Sequence, residues 1–202
     1  MTDTIPIILA VEDLLGEVVA QVLLESSGRK FAVGNCIGHK GFGYLKKNVA
    51  AFNRSAKGIP ILVLTDLDRG KCAPLLIADW LKHPKHNNLI FRVAVREIEA
   101  WLLADRDSIA KFLGVRLSDL PLNPDEILDP KAFLINLAEK SIKRTIRKAI
   151  VPASKSTAKI GPDYNGMLSF FIQSEWSLKN ALKYSPSLCR AYEAIKAFEP
   201  IL

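Results

Sequence analysis

Hydrophobic positions along this chain follow two rhythms. Ile5 to Val11 is an unbroken apolar run, too short for a typical helix, that ends in Glu12 and Asp13; it suits a strand buried on both faces. From Leu14 to Glu25 the period changes, with Leu15, Val18, Val19, Val22 and Leu23 at helical spacing and Gly28 as the stop. KFAVGNCIG (Lys30–Gly38) predicts a weaker second strand. It leads into GHKGFG (Gly38–Gly43), a loop whose glycines have the spacing of neither a Walker loop nor a dinucleotide fingerprint. Tyr44 to Lys57 predicts a basic helix, Ile59 to Thr65 the strongest strand, and about Cys72 to Lys82 another helix. Asn88 to Asp105 passes from strand to helix near Arg96.

Strand and helix therefore alternate through the first hundred residues. That alternation predicts an α/β fold, a Rossmann-like parallel sheet flanked by helices with right-handed crossovers. After Asp105 the pattern shifts. LSDLPLNPDEILDPK reads as a proline-rich connector, followed by helices over Lys131–Ile150, over GPDYNGMLSFFI and over Ser185–Phe198. The expected division is an α/β core over 1–105 and a helical C-terminal extension over 106–202 that packs on it.

A chain of 202 residues can bury enough surface to fold without a disulfide or structural metal. Cys36, Cys72 and Cys189 are odd in number and far apart, and read as reduced thiols of a cytoplasmic protein. Glu12, Asp13 and Glu17 interrupt the apolar N-terminus and no basic segment precedes it, so neither a signal peptide nor a membrane span is expected. The formal charge of +7 favours a polyanionic partner. Between Ser141 and Gly161 the bases Lys143, Arg144, Arg147, Lys148, Lys155 and Lys159 occur without a single acid. On composition alone this is equally a solvated helix face.

Ligands of open parallel sheets sit beyond the carboxyl ends of the strands. The acids expected there are Glu12 and Asp13 after the first strand, Asp66 and Asp68 after the third, and Glu97 and Glu99 after the fourth. If the backbone stays extended, Asp66 and Asp68 point to one side. Singly, each acid is a helix cap or a first-turn residue. Together they would repel one another unless a hard cation neutralised them, and oxygen-only ligands suit Mg²⁺ or Mn²⁺. Trp80, Trp101 and Trp176 read as core residues, His39 as a surface histidine of the glycine loop, and Tyr164 has no evident partner.

Two resemblances to this pattern are partial. The N-terminal strand, acidic pair and helix resemble a response-regulator receiver domain, but Asp66 is too distant for its phospho-acceptor and LIFRVAVRE lacks the required hydroxyl residue. LVLTDLDRG resembles the haloacid-dehalogenase Asp-x-Asp signature, yet it lies on the third strand and has Gly70 in place of the expected Thr or Val.

More of the chain resembles the TOPRIM domain, shared by topoisomerases, primases and the OLD-type nucleases of phage defence. That domain has a glutamate after its first strand, as Glu12 is, and an Asp-x-Asp after a later one, as Asp66-Leu67-Asp68 is. VREIEAWLLADRD (Val95–Asp107) is similar to the Glu-x-Glu-Ala-Trp-Leu-Leu-Ala-Asp stretch of small TOPRIM-like proteins related to that nuclease group. GPDYNGMLSFF followed by SPSLCRAYEAI resembles their C-terminal region. One departure is Val11-Glu12-Asp13, where Val-Glu-Gly is common.

The resemblance implies Mg²⁺ or Mn²⁺ at Asp66, Asp68 and Glu99, with Glu12 as a ligand or general base, and phosphodiester hydrolysis as the reaction. It implies nucleic acid (DNA or RNA) as partner, with Lys71, Lys143, Arg144, Arg147 and Lys148 as candidate contacts. OLD-type proteins often carry an ATPase, and the chain has no Walker motif, so a separate ATPase partner is the corresponding expectation. The alternative is a non-catalytic subunit of TOPRIM shape that binds nucleic acid or a protein partner.

Overall fold

A computed structural model describes residues 4–201. Four strands, β1 (Ile5–Val11), β2 (Phe31–Gly38), β3 (Ile61–Asp66) and β4 (Leu89–Ala94), form one parallel sheet in the order β2-β1-β3-β4. Helices α1 (Leu14–Ser26), α2 (Gly41–Ser55) and α3 (Ala73–Trp80) connect them, and α4 (Ile98–Ala104) follows β4. The fold is thus α/β, a parallel sheet with helices on both faces, as the alternating rhythms predict.

Period-two alternation sorts the strand residues between two cores. Ile5, Ile7, Leu9 and Val11 of β1, with Leu62 and Leu64 of β3, pack against α1 and α4. Ala10, Ile61, Val63, Leu89, Phe91 and Val93 face α2 and α3 on the opposite side. The register aligns the strand ends, with Val11 opposite Leu64 and Asp66 opposite Ala94. Because β2 and β3 lie on opposite sides of β1, the chain reverses direction between β1 and β3. Their carboxyl ends therefore flank a topological switch point, where crossovers diverge and leave a crevice.

The remaining helices are α5 (Arg106–Leu113), α6 (Pro130–Glu139), α7 (Arg144–Ile150), α8 (Tyr164–Ser174), α9 (Leu178–Ala181) and α10 (Pro186–Lys196). They join the α1 side of the sheet in one continuous hydrophobic cluster, with α8 against α1 and α10 against β4. Trp101 lies at its centre, fully buried, and its indole N–H donates to Ser187 Oγ at 2.7 Å. Truncating a buried aromatic of this size to alanine costs about 3–5 kcal/mol. Trp80 and Trp176 are buried as well. No helix of the described residues is long and apolar enough to cross a membrane.

Two sequence expectations need correction. Residues 41–43 of the glycine loop already belong to α2. The single helix expected over 131–150 breaks after Glu139, because tertiary bonds capture the intervening backbone. Ser141 Oγ donates to Leu113 O, Ile142 N donates to Gly114 O at 3.1 Å, and Lys143 N donates back to Ser141 Oγ at 2.9 Å.

Candidate metal centre at the carboxyl edge

Acids that follow β1, β3 and β4 approach one another beside the switch point, and Glu12 and Asp66 are each fixed by backbone of a neighbouring element. Glu12 reaches from the end of β1 to β3, where its Oε1 accepts from Thr65 Oγ1 and, at 2.8 Å, from Asp66 N. Asp66 in turn accepts from Ile98 N at 3.0 Å through Oδ1, which ties β3 to the start of α4. Among the described residues no hydrogen bond engages Glu12 Oε2 or Asp66 Oδ2. Each carboxylate is thus oriented by one oxygen and offers the other.

Glu97 and Glu99 stand at the start of α4, Glu97 at the position that precedes the helix and Glu99 in its first turn, and both engage Lys131. Glu97 Oε2 accepts from Lys131 N at 2.9 Å. Glu99, only 2% exposed, accepts from the Tyr164 hydroxyl at 2.9 Å and lies 3.5 Å from Lys131 Nζ. Asp13 caps α1, its Oδ1 accepting from Gly16 N at 2.9 Å. The departure from Val-Glu-Gly therefore supplies a helix cap beside the other acids.

Asp68 behaves differently from Asp66. The chain turns after β3, and Asp68 is exposed with φ 49°, a left-handed conformation that Asp tolerates, so the condition for the pair to share a side is not met. Arg96 holds this turn. Its carbonyl accepts from Leu67 N at 3.0 Å and Asp68 N at 2.9 Å, and its guanidinium donates to Gly70 O at 2.7 Å. A Cβ at Gly70 would lie 2.8 Å from Leu67 O, so the turn requires glycine. Asp68, Arg69 and Lys71 line one open cleft with Phe42 and Lys46.

The electrostatics follow from this crowding. Burial raises the Asp66 carboxyl well above its ordinary range, and repulsion from Glu99, Glu12 and Asp13 adds to it against the pull of Lys131. Burial also raises Glu12, opposed by the Thr65 and Asp66 hydrogen bonds, and raises Glu97 and Glu99. Lys131 is the counterweight: burial alone would lower its ammonium, but Glu99, Glu97, Asp66 and Asp13 more than reverse that and hold it charged. Glu99 stays raised despite Lys131 because its own burial is the larger effect. Burial and the neighbouring Glu99 likewise keep the Tyr164 hydroxyl protonated.

The donor set fits a hard divalent cation, since it offers carboxylate oxygens only, with two of them unengaged and under mutual repulsion. It is not drawn tight. Among the described residues, no three of these carboxylates bring an oxygen each within 4.8 Å of one another.

The basic candidates divide by occupation. Lys143 Nζ donates to Lys111 O at 2.7 Å and Phe112 O at 3.1 Å, closing the end of α5, and Arg147 donates to Ser141 O. Arg144, Lys148 and Lys71 are exposed. Three residues of the site escaped the sequence reading: Thr65, Lys131 and Tyr164. Lys131 did carry a signal, because a lysine in the first turn of a helix opposes the helix dipole and calls for an acidic neighbour. Tyr164 comes from a helix distant in sequence, and nothing local marks its partner.

No protein-family model matches the chain, and neither does any curated protein or solved structure.

Proposed function

We propose that this chain is a metal-dependent phosphodiesterase of TOPRIM type that cleaves nucleic acid. The observation that carries the reading is the approach of Glu12, Asp66 and Glu99, which follow three adjacent parallel strands, beside the switch point of the sheet, close enough that Glu12 and Glu99 repel the Asp66 charge. Asp66 and Glu99 would hold Mg²⁺ or Mn²⁺, with Asp68, turned away from Asp66 but near enough for its charge to raise Glu12, acting through water, and the ion would supply charge neutralisation and polarisation of a phosphoryl oxygen. Glu12, oriented by Thr65 and the Asp66 amide and with its affinity for a proton raised, is placed to accept a proton from water. Lys131 presents a charged ammonium to a phosphate. Lys71, Arg144 and Lys148 supply exposed cations for the strand, whereas Lys143 and Arg147 hold the α5–α7 region together. The proposal places the protein in the cytoplasm, in phage defence or DNA processing, with an ATPase as a separate partner.

One observation favours a second reading. The ion pair of Lys131 with buried Glu99 neutralises part of the centre without any metal, as a non-catalytic nucleic-acid- or partner-binding subunit would need. Calorimetry with Mn²⁺ and Mg²⁺, followed by cleavage assays on single- and double-stranded DNA and RNA, separates the two. The enzyme reading expects binding and cleavage in the wild type and loss of both in folded Asp66→Asn/Asp68→Asn. Failure of the folded wild type to bind either ion, with nucleic acid present, overturns it in favour of the second.

A further inference from the structure

A second cluster of different chemistry lies on the β2 side of β1. Glu17 stands in the first turn of α1, Cys36 near the end of β2, and His39 immediately beyond that strand. His39 Nε2 is 2.7 Å from Glu17 Oε2, and a carboxylate oxygen, the thiol sulfur and an imidazole nitrogen all lie within 4.8 Å of one another. Among the described residues no other group of three or more His, Cys, Asp or Glu side chains is gathered so closely. Counting cysteine spacings misses it, because the partners of Cys36 are a histidine three residues on and a glutamate from another element.

The backbone builds this proximity. Gly38 adopts φ 145°, and a Cβ there would sit 1.9 Å from Val11 O, so no other residue fits the turn. His39 follows at φ 58°, its N–H donating to Val11 O at 3.3 Å, and Gly41 N donates to Glu12 O at 3.1 Å. The turn returns position 39 toward Cys36 while bonded to the segment that carries Glu12.

We propose that Glu17, Cys36 and His39 form a Zn²⁺ site with one coordination position left to solvent. Thiolate and imidazole select a borderline ion over Mg²⁺ or Mn²⁺, and three protein ligands with an open fourth position is a common zinc arrangement. The side chain of His39 is 45% exposed and that of Glu17 20%, so the solvent side is accessible. Without metal, protons fill the role of the ion. Burial first, and then the charge and hydrogen bond of Glu17, push the Cys36 thiol up to about 12, so it remains protonated against Glu17. Binding releases that proton and joins α1 to the β2–α2 turn, stiffening the backbone on which Glu12 sits.

Co²⁺ titration of the full chain tests this independently of any catalytic role. The expected result is a thiolate-to-metal charge-transfer band with the visible bands of a tetrahedral ion, both displaced by Zn²⁺. Cys72→Ser, Cys189→Ser and Asp66→Asn/Asp68→Asn should keep the band. Cys36→Ser should lose it, and His39→Ala should weaken Zn²⁺ in competition with a chromophoric chelator by at least about tenfold. Should Cys36→Ser fail to fold, alkylation of the wild type serves instead, with Zn²⁺ protecting Cys36 selectively. No band in folded wild type, a band that survives in Cys36→Ser, an unchanged affinity in His39→Ala, or alkylation of Cys36 indifferent to Zn²⁺ would each overturn the site.

Discussion

Two clusters flank β1 at the same edge of the sheet, and they differ in what holds them together. On the β2 side, Glu17 meets an imidazole and a thiol, groups that carry protons, and the three donor atoms lie within 4.8 Å of one another. On the β3 side, Glu12, Asp66 and Glu99 are all carboxyl groups, each disfavoured in its charged form by burial, and they remain further apart while facing one another's charge. Hydrogen bonds close the mixed cluster and only a cation can close the acidic one. Lys131 serves there as a partial substitute, reaching Glu99 but leaving Asp66 and Glu12 with an unengaged oxygen each. Proximity without metal is thus a poor guide to a hard-ion site, because the chemistry that selects Mg²⁺ is the chemistry that repels in its absence.

The largest effects should come from the acids themselves. Glu12→Gln should keep the fold and lower cleavage by about 10²–10⁴-fold, the range for loss of a general base, with Mn²⁺ binding weakened much less. Asp66→Asn should abolish measurable Mn²⁺ binding yet make the metal-free protein more stable in urea, by about 1 kcal/mol or more at pH 7, because it removes a charge that burial and three neighbours disfavour. Asparagine retains the oxygen that accepts from Ile98 N, so the gain is not offset there. A loss of stability would show instead that the Asp66 charge is satisfied without metal, which collapses the contrast between the clusters.

Lys131→Met sharpens the same contrast at intermediate size. Breaking a buried ion pair leaves an uncompensated charge and costs about 3–5 kcal/mol. Lys131 is a third exposed, so about 2 kcal/mol is expected at neutral pH after allowance for screening. Saturating Mn²⁺ should recover most of that loss if the ion takes over neutralisation, since a ligand that binds only the native state stabilises it by mass action. Recovery is read from urea midpoints with and without the ion. An unrestored midpoint would mean that lysine and metal are not alternatives.

The fold was largely legible in the sequence because burial on both faces produces continuous apolar runs, and the switch between periods of two and 3.6 marks each boundary. Glu12, Asp66 and Glu99 were legible for the same reason: charges that end a buried run stand out. What was not legible depends on distant partners. Asp68 leaves the plane of Asp66 because Arg96, from the next crossover, holds the turn. The helix break at Ser141 is imposed by the end of α5. Arg147 looked like a free cation and instead closes on Ser141 O. Lys131 and Tyr164 belong to the site only because the C-terminal helices pack onto the α1 side of the sheet. Position within a pattern finds residues that serve their own element, but not those that reach another.

The smallest effect is the slope of stability with pH in the metal-free protein. Asp66, Glu12, Glu97 and Glu99 all have folded-state affinities for protons above their unfolded values, which lie near 4. In the window above that value the native state binds more protons than the unfolded state, so these groups make stability fall as pH rises. Lys131 has the opposite range: its raised affinity contributes stability that is fully present below its unfolded value, near 10.4, and is lost only as pH rises through its still higher folded value. Between pH 5 and 8 the acids alone therefore set the site's contribution. Asp66→Asn should flatten the slope, and saturating Mn²⁺ should flatten or invert it, because the ion favours the charged carboxylates. His39→Ala, on the other side of β1, removes a group of the mixed cluster and should leave this difference between wild type and Asp66→Asn unchanged. If His39→Ala alters it as much as Mn²⁺ does, the two clusters titrate as one unit, and the bonds joining Val11 and Glu12 to the β2–α2 turn are the route by which they do so.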